Sequence, residues 1–534
     1  MNISLFKKWI NVCFCVILIS LYSECMAYPE NAIYGDNPVK NGRPIVYLLS
    51  EYDGKSKTGK SVVLSIEDAV DEPNLTYQWF ECKDRNGNDA SSITNAMEST
   101  YVTAQFRKKE IRYYFCEVEQ YTPEKNKELP IFIVSYTGLP TVYLDGDMVW
   151  NQDDWVVSDI TIIPGETGGE YMTARINFKG RGNSTWHLGP KCSYTLRFEK
   201  SVRLFDLGVG EKYVLLPNYT DKTLLRNWWS GYLCQYVFYK NQWNPKYVQI
   251  DLFLNGTYMG NYSITEQIRF GAERIDRPTI KEVYKLTHNV DALKYGGYIL
   301  EIDRHMSDDP QFTTDRGVCF RVVRPDLNDF AENEKQLIVE YIHNQVQMVE
   351  NKICGLDEEK TYDSWYNFID MESVVNWYLM KELAKDADSN FYSSVFLYYD
   401  PIDEIFHMGP QWDFDLAFGN YGEGKEDSPE GWKINNVWFD AFKQSSDFNS
   451  RLKERWKEVK TKLLENAIPV LIIKSKEMQV SAELNFERWE ILGRYIWNSS
   501  LGAEQRTTYT SEVEYLVDWT VQRIDWMSKM LELL

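Results

Sequence analysis

The sequence predicts an α+β protein in two folded parts: a β-sandwich over residues 28–138, then a larger unit over 139–534 with a strand-rich first half and a helical second half. Three observations predict it. From Tyr28 to Tyr136 the chain alternates short β-branched and aromatic runs with turn residues. Beyond Gly138-Leu139-Pro140, strand patterns alternate with helical patterns that lengthen toward the C-terminus. Finally, 534 residues exceed what one core organises, while a hydrophobic share of 44% and an aromatic share of 15% suffice for several.

The first 27 residues read as an export signal. Lys7 and Lys8 precede an apolar run from Trp9 to Leu21, and a polar stretch ends at Cys25-Met26-Ala27, with cleavage expected after Ala27. A lipid anchor on Cys25 is the rival reading, though Tyr22-Ser23-Glu24 suits one poorly. The expectation is an exported protein, secreted, periplasmic or at the cell surface, with association with the cell envelope left open. No later stretch approaches the ~20 apolar residues a membrane span needs, so no transmembrane helix is expected in the mature chain.

In the sandwich region, Ser61–Ile66, Leu75–Phe80 and Ile111–Val118 read as strands, and Arg85-Asn86-Gly87-Asn88 as a turn. Trp79 stands where a third-strand core tryptophan would, and Tyr114 precedes Cys116 by two residues. On those residues the region resembles an immunoglobulin-like domain. The usual first cysteine is missing, with Val63 and Ser65 on the candidate second strand, so Cys116 is expected as an unpaired core thiol. Cys82 is opposite to Trp79 in strand parity and should point away from that core. Such a module is expected to be a spacer or adhesive platform.

Composition excludes some partners. A net charge of -21 argues against nucleic acid, whose binding rests on clustered Lys and Arg. Cys82, Cys116, Cys192, Cys234, Cys319 and Cys354 remain after cleavage and form no CxxC pair, and with five His in the chain neither a zinc site nor a disulfide framework is indicated. In the second part, Tyr247–Leu254 reads as a strand. Glu334–Lys352, Met371–Lys385 and Glu512–Leu531 read as helices, the last presenting Leu516, Trp519, Arg523, Trp526 and Met530 on one core face.

Three segments carry candidate chemistry. In Gly409–Asn420 two acids interrupt an aromatic run; if the backbone is extended, Asp413 and Asp415 share a face while Trp412 and Phe414 bury on the other. Paired carboxylates repel unless a cation lies between them, and oxygen ligation suits Mg²⁺ or Mn²⁺; an acidic surface loop is the plain alternative. The Met371–Lys385 helix runs out at Asp386-Ala387-Asp388-Ser389-Asn390, where Asp388 is the candidate general base, although Asp and Asn are also common turn formers. The third segment, Phe178–Trp186, is a basic glycine turn containing Arg181 and Asn183. Lys191 follows within reach of an anion that backbone N–H groups could approach.

Taken in order, Arg181–Trp186, Lys191–Phe198, Asn255–Tyr262 leading to Glu266, and Gly296–Asp303 resemble the motifs of the CotH-type (spore coat protein H-like) atypical kinases, with the resemblance covering about residues 139 to 420. It implies an atypical kinase fold transferring the γ-phosphoryl group of ATP to protein Ser or Thr with Mg²⁺ or Mn²⁺. By the same resemblance Lys191 contacts phosphate beside Arg181 and Asn183, Asp388 is catalytic, Asp413 with Asp415 binds metal, and Glu266 pairs with the lysine. The chain departs from the pattern at Asp386, where Asn is expected, which adds negative charge near the metal. A catalytically inactive adhesion or glycan-binding protein on the same scaffold, drawing on 18 Trp and 36 Tyr, is the alternative; a structural coat or envelope component is the third reading.

Overall fold

The computed structural model describes residues 45–48, 61–66, 75–119, 130–147, 151–166, 168–182, 186, 189–239, 242–305, 311–355, 365–423 and 426–533. The expected export signal and Asn183 lie outside the described residues. The N-terminal strands are β1 (Ile45–Leu48), β2 (Val63–Ser65), β3 (Thr76–Cys82), β4 (Ser91–Ser92), β5 (Thr100–Val102), β6 (Glu110–Glu119) and β7 (Phe132–Tyr136). They form a five-stranded sheet in the order β1-β7-β6-β3-β4 and a β2-β5 pair. Leu64 from the pair meets Trp79, Tyr114, Cys116, Phe132 and Val134 from the sheet in one core. Trp79 is fully buried, and its indole N–H finds the Glu98 carbonyl at 2.9 Å, as a buried indole requires. Cys82 lies on the other face of the sheet, as its parity demands. That face is covered too: Cys82, Tyr113 and Ile133 pack against Phe253, Tyr258 and Leu484 from the second part of the chain. Among the described residues the six cysteines are all free thiols.

Directly after Pro140 the chain enters a closed seven-stranded barrel. Its strands are β8 (Thr141–Gly146), β9 (Val156–Ile163), β10 (Met172–Arg181), β11 (Ser193–Val202), β12 (Gly210–Leu216), β13 (Tyr247–Leu254) and β14 (Thr257–Glu266), closing in the order β10-β11-β12-β14-β13-β8-β9. Alternation fills the interior with Ile176, Phe178, Leu196, Tyr213, Leu215, Ile250, Leu252 and Ile264. It therefore turns Lys179, Arg181, Arg197 and Lys212 outward. Helix α1 (Arg226–Leu233) sits in the β12–β13 connection.

A second sheet, in the order β16-β17-β15-β18-β19, comprises β15 (Tyr298–Ile302), β16 (Gln311–Thr313), β17 (Cys319–Arg324), β18 (Val395–Asp400) and β19 (Ile405–Met408). The remaining helices are α2 (Ile280–Thr287), α3 (Glu332–Ile353), α4 (Met371–Ala384), α5 (Val437–Phe442), α6 (Ser446–Lys462), α7 (Ile468–Arg488) and α8 (Tyr509–Leu533). They share a core rich in rings, with Trp377, Trp438, Phe439, Phe442 and Phe448 buried together. Helix α7 reaches back to the barrel, and α8 packs beside α4, α6 and α7. The expected core face of α8 is apolar only in part. Arg523, fully buried, pairs with Glu382 of α4 at 2.9 Å and donates to the Pro429 and Gly431 carbonyls. No described helix is long and apolar enough to cross a membrane.

Candidate functional site

The barrel, the second sheet and the end of α4 enclose a cavity of about 1170 Å³ lined by Arg181, Lys191, Glu301, Asp303, Asp388, Asp413 and Asp415 among others. Helix α4 delivers one acid. Asp370 caps its start by accepting from the Ser373 N–H at 2.6 Å, and Lys385, in the left-handed region at φ 45, ends it. The chain then makes a single 3-10 turn, Ala387–Ser389, capped by Asp386, whose side chain accepts from the Asp388 N–H at 3.3 Å. This turn presents Asp388 to the cavity.

The second acidic segment is not the extended run expected. Residues 409–414 pair with no strand, and Asp413 occupies the left-handed region at φ 64, a conformation that Asp tolerates better than most side chains. The outcome for the side chains is nonetheless similar: Trp412 and Phe414 are buried, while Asp413 and Asp415 line the cavity. Support comes from α1, where Asn227 accepts from the Phe414 N–H at 2.9 Å and Arg226 donates to the Ala417 carbonyl at 3.0 Å. Arg226 is itself paired with Asp221 at 2.5 Å.

Lys381 on α4 laces the two acidic segments together. Its ammonium donates to Asp386 at 2.5 Å and to the Trp412 carbonyl at 3.0 Å, and it lies 4.1 Å from the centre of the Phe414 ring. The Ala387 N–H adds a bond to the Leu416 carbonyl at 3.1 Å. The extra negative charge at Asp386 is thus neutralised within the protein.

Electrostatics bind the acids into one group. Burial, then the charges of Asp386 and Asp413, push Asp388 up to about 8. Burial and the neighbouring Asp413, Asp388 and Asp386 hold Asp415 well above the usual carboxylate range, with a hydrogen bond to Asp413 contributing. Ser394 donates to Asp413 at 3.1 Å. Across the cavity, Glu301 is raised by burial and opposed by its partner Arg321, while Asp303 accepts from the His305 backbone N–H at 2.9 Å. Among the described residues Asp400, Asp403 and His407, on the β18–β19 hairpin, bring three ligand atoms within 4.8 Å of one another, but Asp400 is already held by Arg277 at 2.7 Å.

The expected lysine and its partner acid are placed apart. Lys191 is buried at the cavity wall, where its ammonium donates to the Asn261 carbonyl at 2.5 Å and to Asn485 of α7 at 2.9 Å. Burial holds it well below its ordinary value, with Asp251 the opposing charge. Glu266 does not meet it. Glu266 accepts from the Gly208 and Lys246 N–H groups at 2.9 and 3.1 Å and faces Arg274 at 3.6 Å, so the expected Lys191–Glu266 pair is replaced by Glu266–Arg274. Arg181 lies over the Trp412 ring at 5.7 Å in the field of Asp413 and Glu301. The sequence reading missed Lys381, Arg226, Asn227 and Glu301. Of these, Glu301 stood in a family motif, as one of the two acids of Gly296–Asp303.

The fold and the cavity define a class: an acid-lined cleft held between a closed barrel and a helical body. A family model described as CotH kinase protein matches residues 177–527, well over half of the chain, and the chain belongs to that family. The match opens inside β10 and closes inside α8, so it takes in the C-terminal helices that the sequence motifs left unmatched. No curated protein matches the chain.

Proposed function

We propose that this chain is an exported CotH-like phosphotransferase that moves the γ-phosphoryl group of ATP to Ser or Thr of a protein acceptor with Mg²⁺ or Mn²⁺, its N-terminal unit being an immunoglobulin-like sandwich. The observation that carries the reading is the set Asp388, Asp413 and Asp415 lining one cavity with Arg181 in a chain of the CotH kinase family. The donors fit a hard cation. Burial and then the neighbouring Asp413, Asp388 and Asp386 hold Asp415 well above the usual carboxylate range, the mark of crowded negative charge that an oxygen-ligated divalent ion would relieve. Bound there, the ion would neutralise phosphate charge and orient the donor.

Asp388 is the group suited to face the acceptor. Its raised proton affinity matches a base that takes the hydroxyl proton as the acceptor oxygen bonds to the γ-phosphorus and the bond to ADP breaks. The Lys381 bonds to Asp386 and Trp412 hold that base in register with the metal-binding acids. Arg181, at the cavity wall, is placed to meet phosphate oxygens. One observation favours the alternative, a catalytically inactive adhesion protein: the Lys191 ammonium is already committed to Asn261 and Asn485, and a phosphate would have to replace those bonds.

Transfer of label from γ-labelled ATP to the protein itself or to a Ser-rich acceptor, alongside calorimetric ATP binding, decides between them. Asp388→Asn should lower transfer by about 10²–10⁴-fold and spare ATP binding, whereas Asp413→Asn should weaken both. Wild-type protein that neither binds nucleotide nor transfers phosphate with Mg²⁺ or Mn²⁺ would remove the kinase reading and favour the adhesive one.

A further inference from the structure

Outside the cavity, the outer face of the barrel carries a concentration of cations at odds with a chain of net charge -21. The ring of Trp155 is met by Arg197 at 4.1 Å, Lys179 at 5.3 Å and Lys212 at 5.7 Å. The strand register explains their proximity. Arg197 of β11 pairs directly with Lys212 of β12 on one side and with Asn177 of β10 on the other, and Lys179 lies two residues beyond Asn177. Like charges directly opposite each other on adjacent strands are destabilising, so the fold gains nothing from this arrangement beyond the partial relief of the Trp155 ring. Among the described residues, Lys179, Arg197, Lys212 and the nearby Arg269 make no ion pair. Burial and the charges of Arg324, Arg269 and Arg197 hold Lys212 below its ordinary value, with Asp326 the opposing acid.

The patch is continuous with the cavity. Arg181, which lines the cavity, follows Lys179 by two residues on the same face of β10, and the lining residue Val214 follows Lys212 in the same way on β12. Arg269 adjoins the lining residue Ile268, and Arg324 itself lines the wall. A polypeptide crossing Lys179, Arg197 and Lys212 would therefore run into the cleft.

We propose that this face is a docking track for an Asp- and Glu-rich segment of a protein, whose carboxylates pair with Lys179, Arg197, Lys212 and Arg269 on either side of Trp155. That the docked protein is the phosphoryl acceptor rests on the reading above; the docking itself does not. Charge complementarity selects the occupant. The face offers separate cations in an otherwise acidic molecule, so it attracts an acidic chain to one place and repels it elsewhere.

The test is fluorescence anisotropy of the full mature chain with a labelled peptide of alternating Glu and Ser, with a Lys-Ser peptide and a single-stranded oligonucleotide as further probes. The Glu-Ser peptide should bind, weaken as salt is raised, and lose about tenfold or more in affinity on Lys179→Glu/Arg197→Glu/Lys212→Glu. Arg269→Glu alone should lose a smaller factor, which keeps the test usable if the triple variant folds poorly. Peptide binding that ignores these charge reversals, a Lys-Ser peptide bound equally well, or an oligonucleotide bound more tightly would each overturn the docking track. Docking without phosphate transfer would retain the track and remove the kinase reading, and transfer with charge-insensitive docking would do the reverse.

Discussion

Asp386 and Lys381 show how a departure from a family pattern is absorbed. A buried carboxylate without a counter-charge is costly, and here the compensating ammonium comes from five residues earlier on α4. Lys381→Met should therefore destabilise the protein by about 3–5 kcal/mol, and Lys381→Met/Asp386→Asn should recover most of that loss in denaturant unfolding. Equal losses in the single and double variants would instead place the cost in packing on Phe414. Asp388 makes a second prediction. Its folded value, about 8, lies above the usual unfolded value near 4, so its protonated form favours the folded state at low pH, and that contribution is lost as pH rises toward 8. The melting temperature of metal-free protein should fall across that window, and Asp388→Asn should flatten the fall. An unchanged slope in the variant would show that Asp388 does not titrate there. From sequence, Asp388, Asp413 and Asp415 could be picked out because acids stood in aromatic or turn contexts; Lys381 could not, because helical periodicity records it only as a polar position.

The elements were largely legible from periodicity. The helix expected over Glu334–Lys352 is α3 and that over Glu512–Leu531 lies within α8, while Tyr247–Leu254 is strand β13. Two features resisted for physical reasons. The Asp413 segment reads as a strand because alternation is the same whether the backbone pairs or not; its left-handed residue breaks the ladder. Barrel closure depends on pairings between strands far apart in the chain, such as the parallel β8–β13 ladder, that no local pattern encodes. Arg523 on α8 tests the reach of the helical body toward the cleft. Arg523→Met should cost about 3–5 kcal/mol, since Glu382 is left buried and unpaired. Arg523→Lys should restore only part of it, because the fork that reaches Glu382, Pro429 and Gly431 together is lost. Full restoration by Lys would show that charge alone matters.

For the molecule as a whole, the expected boundary at residue 139 falls inside a packed contact. Phe253, Tyr258 and Leu484 are buried partly by the N-terminal sheet, and Arg85 and Tyr113 bond to Glu487 of α7. A fragment covering 139–534 should melt lower and self-associate on size exclusion relative to 28–534, because it uncovers an apolar patch. A monodisperse fragment of unchanged melting temperature would show that the contact contributes nothing.

Asp251 ties this interface to the order in which the protein can be made. Fully buried on β13, it accepts from Thr137 at 2.7 Å before the barrel and from Ser481 at 2.8 Å on α7, while Asn485 of the same helix holds Lys191. A ribosome delivers residues 141–266 long before residues 481–485. Until those arrive, a nascent barrel keeps Thr137 and Tyr258 on Asp251 and Asn261 on Lys191, but it lacks the helix that covers these groups, and water stands in for Ser481 and Asn485. The barrel is thus complete in sequence well before it is complete in chemistry, and the last bonds to these two groups come from a helix translated more than two hundred residues later.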